Sequence, residues 1–210
     1  MAPNKTQKIK NPALFVCDIQ EAFRPVIYEY PKLITTAIKL LRATKPLSIP
    51  IYVTTQNRAR LGNTVSELAS YLEASNPNVR ADLDKTLFSM LTPELKALLP
   101  DPTTSDPLDV ILIGIESHVC VTQTALDLLA AGHRVYIVAD AVSSAHAEER
   151  TVALARLRDA GAIVTTSEGV LFEIMADAKV PCFKEISKLV KETSKETEAA
   201  LEVFCAASKI

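Results

Sequence analysis

The stretch DVILIGIESHVCVTQTALDLLAAG, residues 109–132, decides how this chain folds. Val110 to Ile115 is an almost purely apolar run, with Gly114 near its end. Such a run, without polar alternation, reads as a strand buried on both faces, as in a parallel sheet. From Val121 the period changes. Val121, Ala125, Leu128 and Leu129 recur at helical spacing, and Gly132 supplies a stop. Between strand and helix lies Glu116-Ser117-His118-Val119-Cys120. Cys120 is therefore placed at the beginning of a helix, just past the carboxyl end of a buried strand. Ligands in open α/β sheets bind at the carboxyl ends of strands. A helix N-terminus offers partial positive charge and N–H groups, which favour a thiolate and can hold an oxyanion. A free cysteine more often simply packs. Its neighbours decide between the two readings.

Outward from this stretch, the chain alternates strand and helix. Ala13 to Cys17 is a short buried strand with Asp18 at its carboxyl end. Pro31 opens a helix with Leu33, Ile34, Ala37, Ile38 and Leu41 on one face, and Pro46 and Pro50 close that region. Ile51 to Thr55 is β-branched and aromatic, a second strand. Residues 56–80 are polar and irregular, with a short helix expected near Ser66 to Leu72; a loop this long is usually functional. Asp82 to Thr86 is an edge strand or extended segment, and Pro93 starts a short helix. Val135 to Ala139 is a further strand ending in Asp140, and Glu148 to Ala160 is a helix stopped by Gly161. Ala162 to Thr165 is a last strand, and Ser167 is expected to cap the helix after it. The tail, 184–210, is rich in Lys and Glu and reads as a marginal helix, packed on the body or on a partner, or partly frayed. The pattern predicts one α/β domain over residues 1–210, with its core at about 12–190. Its architecture is a three-layer, doubly wound parallel β-sheet, Rossmann-like, with helices on both faces.

Composition narrows the function classes. Hydrophobic residues make up 48% of 210, as in a globular domain. A formal net charge of −2 gives no basic surplus for nucleic acid or an anionic membrane surface. No apolar run approaches the length of a membrane span. The four cysteines, Cys17, Cys120, Cys182 and Cys205, form no Cys-x-x-Cys pair and fit neither a zinc site nor a disulfide framework. A reducing, cytoplasmic compartment is the natural expectation. Residues 1–10 carry lysine and no acid, so a short mitochondrial leader stays open. There is no G-x-G-x-x-G and no G-x-x-x-x-G-K-[ST], so the nucleotide-binding fingerprints are absent.

Two groups at strand ends suit Cys120. Asp18, backed by Phe15, Val16 and Ile19, is placed to act as a base or, equally, to serve a turn. Lys85 would favour a thiolate if it lies near the thiol, and is otherwise a surface lysine. Here the residues carry a resemblance. Cys17-Asp18-Ile19-Gln20-Glu21-Ala22-Phe23 resembles the Asp-x-Gln-x-x-Phe opening of the isochorismatase-like hydrolase superfamily. Lys85-Thr86-Leu87-Phe88-Ser89 is similar to its lysine motif, and Gly114 to Val121 resembles its Gly-x-x-x-x-x-Cys-Val nucleophile motif. The three occur in family order and span nearly the whole chain. Thr166-Ser167-Glu168-Gly169 points to the isochorismatase domain-containing subgroup.

The resemblance implies a catalytic triad of Asp18, Lys85 and Cys120. It implies a non-proline cis peptide between Ile115 and Glu116, and an oxyanion hole from the N–H groups of Glu116 and Cys120. Gln20, Phe23, Gln56, Phe88 and His118 are candidates for the substrate pocket, although a turn residue such as His118 is as readily turned to solvent. The chemistry so implied is attack of Cys120 on a carbonyl, release of an amine, and hydrolysis of a thioester by water activated at Asp18. Departures from the family sharpen this. Family nicotinamidases bind a metal with an Asp-x-His and a further His. The matching region here is Thr55-Gln56-Asn57-Arg58, and the histidines His118, His133 and His146 are scattered. No metal and no cofactor are therefore expected. True isochorismatases can lack the cysteine, so its presence argues for acyl transfer. The expected function is a metal-independent cysteine hydrolase of a small amide or related acyl compound. The alternatives are an interaction protein on the same fold, or a hydrolase of an ether or ester. Expected partners are a small-molecule substrate and further copies of the chain in a homo-oligomer, with Ile186, Leu189 and Val190 as a contact. Neither nucleic acid nor membrane is expected.

Overall fold

A computed structural model gives the structure of residues 8–206. The expectations for a leader and for the last residues of the tail fall on 1–7 and 207–210, outside the described residues. Six strands form one sheet: β1 Pro12–Cys17, β2 Ile51–Gln56, β3 Val79–Lys85, β4 Asp109–Ile115, β5 Arg134–Ser143 and β6 Ile163–Thr165. Their order is β3-β2-β1-β4-β5-β6, and every neighbouring pair is parallel. The chain builds outward from β1 to β3, then returns to lay β4 on the other side of β1. The strand order thus reverses between β1 and β4, and the crevice above their carboxyl ends is where such sheets bind ligands.

The helices are α1 Tyr30–Leu47, α2 Arg58–Leu61, α3 Ser66–Ala69, α4 Pro93–Lys96, α5 Thr122–Ala130, α6 Ala147–Ala160, α7 Ser167–Met175, α8 Phe183–Glu192 and α9 Ser194–Phe204. Strand side chains alternate between two apolar layers. Leu14, Val16, Val53, Ile111 and Ile113 pack with Leu33, Leu40, Val170 and Phe204, so α1, α7 and α9 cover one face. Phe15, Cys17, Val110, Leu112 and Ile137 pack with Leu95, Ala125, Leu128 and Leu154, so α4, α5 and α6 cover the other. The sheet is a three-layer, doubly wound one, as its unbroken apolar strands indicated. Gly114 is required where β4 passes β1. It has φ +119°, and a Cβ there would lie 2.0 Å from the Cys17 carbonyl oxygen.

Several elements differ from their sequence reading. Pro46 does not end α1 but sits in its last turn, where it forfeits a single i→i−4 hydrogen bond, and Ser48 caps the helix in the left-handed region. β5 does not stop at Asp140. It runs on to Ser143 through a register shift against β4, and the Asp140 carboxylate takes hydrogen bonds from the Ser167 N–H (2.7 Å) and hydroxyl (2.6 Å). Ser167 is therefore not the cap of α7; Thr166 is, accepting from the Gly169 N–H at 3.3 Å. The tail forms two helices, α8 and α9. Ile186 and Leu189 are buried within this same chain and Val190 packs against its core, so the expected subunit contact is not available there.

Candidate active site

The site begins where β1 ends. Asp18 follows the strand with φ 53°, and its N–H donates to the Thr54 carbonyl on β2 at 3.1 Å. The turned backbone leaves its carboxylate buried over the strand ends, 1% exposed. The Thr54 hydroxyl donates to Oδ1 at 2.8 Å, and Lys85 Nζ donates to Oδ2 at 2.7 Å. Lys85 is the last residue of β3, two strands away. Its ammonium also meets Gln56 Oε1 (2.8 Å) and the carbonyl oxygens of Leu87 and Phe88 (both 3.0 Å). A buried ion pair holds only when its remaining hydrogen-bonding capacity is filled, and here it is. Burial by itself would lower the Lys85 pKa. The neighbouring Cys17, Asp18 and Cys120 outweigh it, so the pKa is raised and Lys85 stays an ammonium.

The thiols come from the two strands flanking the switch. β4 ends at Ile115, and the Ile115–Glu116 peptide is cis. Ser117–Val121 then makes a π turn before α5, so Cys120 sits in that turn and not in a regular first helical turn. The turn is fastened at several points. The Glu116 carbonyl accepts from the N–H groups of Val119 (3.0 Å) and Val121 (3.1 Å), and the Glu116 carboxylate accepts from the Ala145 N–H (2.8 Å). The Thr122 hydroxyl donates to the Ser117 carbonyl at 2.6 Å. Cys120 is 7% exposed and shares an apolar layer with Cys17. Cys17 Sγ lies 3.7 Å from Asp18 Oδ2. Burial pushes the Cys17 thiol well above its ordinary value, and the adjoining Cys120 and Asp18 add to the rise. One carboxylate, one ammonium and two thiols thus converge at the β1–β4 crevice.

The pocket candidates divide. Gln56 touches the site through its amide oxygen, while its amide nitrogen donates to the Thr86 carbonyl at 2.9 Å. Gln20 is fully buried as a brace. Its Nε2 donates to the carbonyls of Gln56 (3.1 Å) and Gly62 (2.7 Å), and its Oε1 accepts from the Gln56 N–H (2.7 Å), so its amide is fully occupied. Phe23 packs against the core beside α1. The Phe88 side chain is exposed, and it is the backbone of Phe88 that reaches Lys85. His118 is half-buried, with Nδ1 3.0 Å from the Ser144 hydroxyl. Thr54 and Cys17 were not singled out from the sequence. Their one signal was a polar or sulfur-bearing residue at the carboxyl end of an apolar strand, and their pairing in register shows only once β1 and β2 dock. Among the described residues, no group of three or more His, Cys, Asp or Glu is placed to hold a metal ion.

Comparison with known proteins shows the family and the fold. Residues 12–169 match the family described as "Isochorismatase domain". The secreted isochorismatase effector Isc1 of Phytophthora sojae is 48% identical over 85% of this chain and 84% of its own. Isochorismatase domain-containing protein 2 of Xenopus laevis is 41% identical over 90% and 87%. Among solved structures, one titled MAR1 ribonuclease from Caenorhabditis elegans superposes with a TM-score of 0.79 at 42% identity, covering 88% of this chain and 92% of that one. The family match over residues 12–169 and relatives above 40% identity across most of both chains carry one conclusion: this chain, with its parallel sheet switched between β1 and β4, belongs to the isochorismatase family of hydrolases.

Proposed function

We propose that this chain is a metal-independent cysteine hydrolase of a small amide or related acyl compound, with Cys120 as nucleophile, Asp18 as base and Lys85 as the cation paired with that carboxylate. The observation that carries the reading is the buried Asp18–Lys85 pair set against two thiols at the point where the strand order reverses. An ion pair this deep is a poor way to stabilise a fold, which directs attention to a chemical role. In the reaction, Asp18 takes the Cys120 proton and the thiolate attacks the carbonyl carbon. The N–H groups of Glu116 and Cys120 receive the oxyanion. The amine leaves with the proton, and Asp18 then activates water to hydrolyse the thioester. Lys85, saturated by four oxygen acceptors, acts through its charge and transfers no proton. Four free cysteines fit the cytoplasmic location that belongs to this reading. So does self-association, for which Val152 and Phe172 offer exposed apolar side chains on α6 and α7.

The test is the mass of the protein after incubation with a panel of small amides, esters and vinyl ethers, in the presence and absence of a chelator. An acyl adduct confined to Cys120, formed equally with chelator and abolished by Cys120→Ala, is the expected result. Absence of any adduct and any turnover across the panel favours the non-catalytic rival. Because a structural relative is titled a ribonuclease, an RNA arm belongs in the panel. RNA cleavage that survives Cys120→Ala would overturn the assignment of the nucleophile.

A further inference from the structure

The hydrolytic reading uses Cys120 and leaves Cys17 without a task. Yet the fold brings the two together, Cys17 from the end of β1 and Cys120 from the turn after β4. Cys17 stands in register with Gly114 across the β1–β4 pair, where a Cβ on Gly114 would meet the Cys17 backbone. From Gly114 the chain runs through the cis peptide and the π turn and sets Cys120 beside the Cys17 thiol, in the same apolar layer. Cys17 Sγ is also 3.7 Å from Asp18 Oδ2, so the second thiol has a carboxylate at hand to receive its proton. The remaining cysteines have other neighbours: Cys182 stands at the start of α8, and Cys205, at the end of α9, reaches the edge of the same layer but bonds to Arg150.

We propose that Cys17 and Cys120 are an oxidisable pair, in which a hydroperoxide oxidises Cys120 and Cys17 then closes a disulfide onto it. In the first step the Cys120 sulfur attacks the peroxide oxygen. The O–O bond breaks, an alcohol or water leaves with the thiol proton, and Cys120 becomes a sulfenic acid. In the second step Cys17 Sγ attacks the sulfenic sulfur and passes its proton to Asp18 Oδ2. The S–O bond breaks, the S–S bond forms, and the departing hydroxide collects that proton as water. Two thiols and one hydroperoxide thus give one disulfide, one alcohol or water, and one further water. The order is set by burial. Cys17 is 0% exposed, so the oxidant meets Cys120 first. The raised pKa of Cys17 keeps it a thiol until the sulfenic acid forms beside it. The disulfide closes the site and spares the nucleophile from the irreversible sulfinic state.

The pairing rests on Cys120 being the reactive thiol of the proposed hydrolase, but its readout is thiol chemistry and needs no substrate. The reduced full-length protein is treated with hydrogen peroxide at near-stoichiometric amounts, quenched by alkylation and mapped by peptide mass. The expected result is a loss of two alkylatable thiols and two hydrogens, with the Cys17 and Cys120 peptides joined and dithiothreitol restoring both. In Cys17→Ser, dimedone labelling of Cys120 should rise from near zero to most of the chains, and further peroxide should convert it to a product that dithiothreitol does not recover. The Cys182→Ser/Cys205→Ser double variant should still form the bond. The proposal is overturned if the wild type accumulates the dimedone adduct or sulfinic acid at Cys120, if Cys120 pairs with Cys182 or Cys205, or if Cys120 does not react with peroxide. The wild-type map alone decides this should Cys17→Ser fail to fold. A Cys120 that forms acyl adducts but no disulfide would sink only this inference, and a disulfide without acyl adducts only the hydrolase reading.

Discussion

Lys85 concentrates the energetics of the site in one ammonium. Lys85→Met removes the one cation bonded to the Asp18 carboxylate among the described residues, where Asp18 is 1% exposed, and should cost about 3–5 kcal/mol in chemical denaturation at neutral pH. The pH dependence follows from the raised pKa. A lysine whose folded pKa exceeds its unfolded value, about 10.4, stabilises fully below that value and loses the contribution as pH rises through the folded one. The gap between wild type and variant should therefore stay constant from neutral pH to mildly alkaline pH and close only above about 10.4. A gap that shrinks on going from pH 9 to pH 7 would show that Lys85 is not held charged. At this scale Asp18, Lys85 and Cys120 were legible as candidates because each falls in a short motif resembling the family's, Asp18 and Cys120 just past an apolar run and Lys85 at the end of the charged stretch VRADLDK. Gln20 lay in the same motif, but the sequence does not show that its amide closes on the Gln56 and Gly62 backbone. Thr54 was hidden because a threonine in a β-branched strand looks like ordinary strand filling.

Among the elements, the β4–turn–α5 unit was the most legible and the tail the least. The change from unbroken apolar run to helical period is local, and local periodicity survives in sequence. The π turn is not local in the same way. It is fixed by contacts such as Glu116 to Ala145, 29 residues on. Gly114 joins both kinds of information, since the sequence offers a glycine and only the docked strands show why. Gly114→Ala should destabilise by about 3 kcal/mol, at the top of the usual overpacking range, because the added carbon meets backbone and not a movable side chain. Thermal denaturation checks this, and a variant within 0.5 °C of wild type would mean that β1 and β4 part easily. The tail misleads because α8 and α9 each bury a narrow stripe, Ile186 and Leu189, then Thr197, Ala200 and Phe204. Their anchor lies far back in the chain. Buried Arg150 on α6 donates to the Phe204 carbonyl at 2.7 Å and stacks over its ring at 4.8 Å.

For the whole molecule, apolar periodicity along the strands gave away the layering, whereas the quaternary state is not written in any one segment. The tail residues first expected to join subunits are spent inside the fold. Exposed Val152 on α6 and Phe172 on α7 are apolar positions with no cover in the described chain. Light scattering at micromolar concentration should show a particle heavier than one 22.8 kDa chain, and Val152→Lys with Phe172→Lys should shift it toward that mass. A wild type that scatters as a single chain would remove self-association from the proposed function.

The sheet's borders bear on how that assembly is built. An uncovered strand invites another chain to pair with it, the route to amyloid-like growth. β6 is only three residues long, too short to template much. β3 is longer, but Arg80, Asp82 and Asp84 project from it into solvent, and the two aspartates are engaged by Arg58, through its guanidinium for Asp82 and its N–H for Asp84. An incoming strand would have to bury these charges or break their bonds. The protein is thereby steered away from fibrillar stacking, and any ordered assembly it forms is directed to its helical flanks.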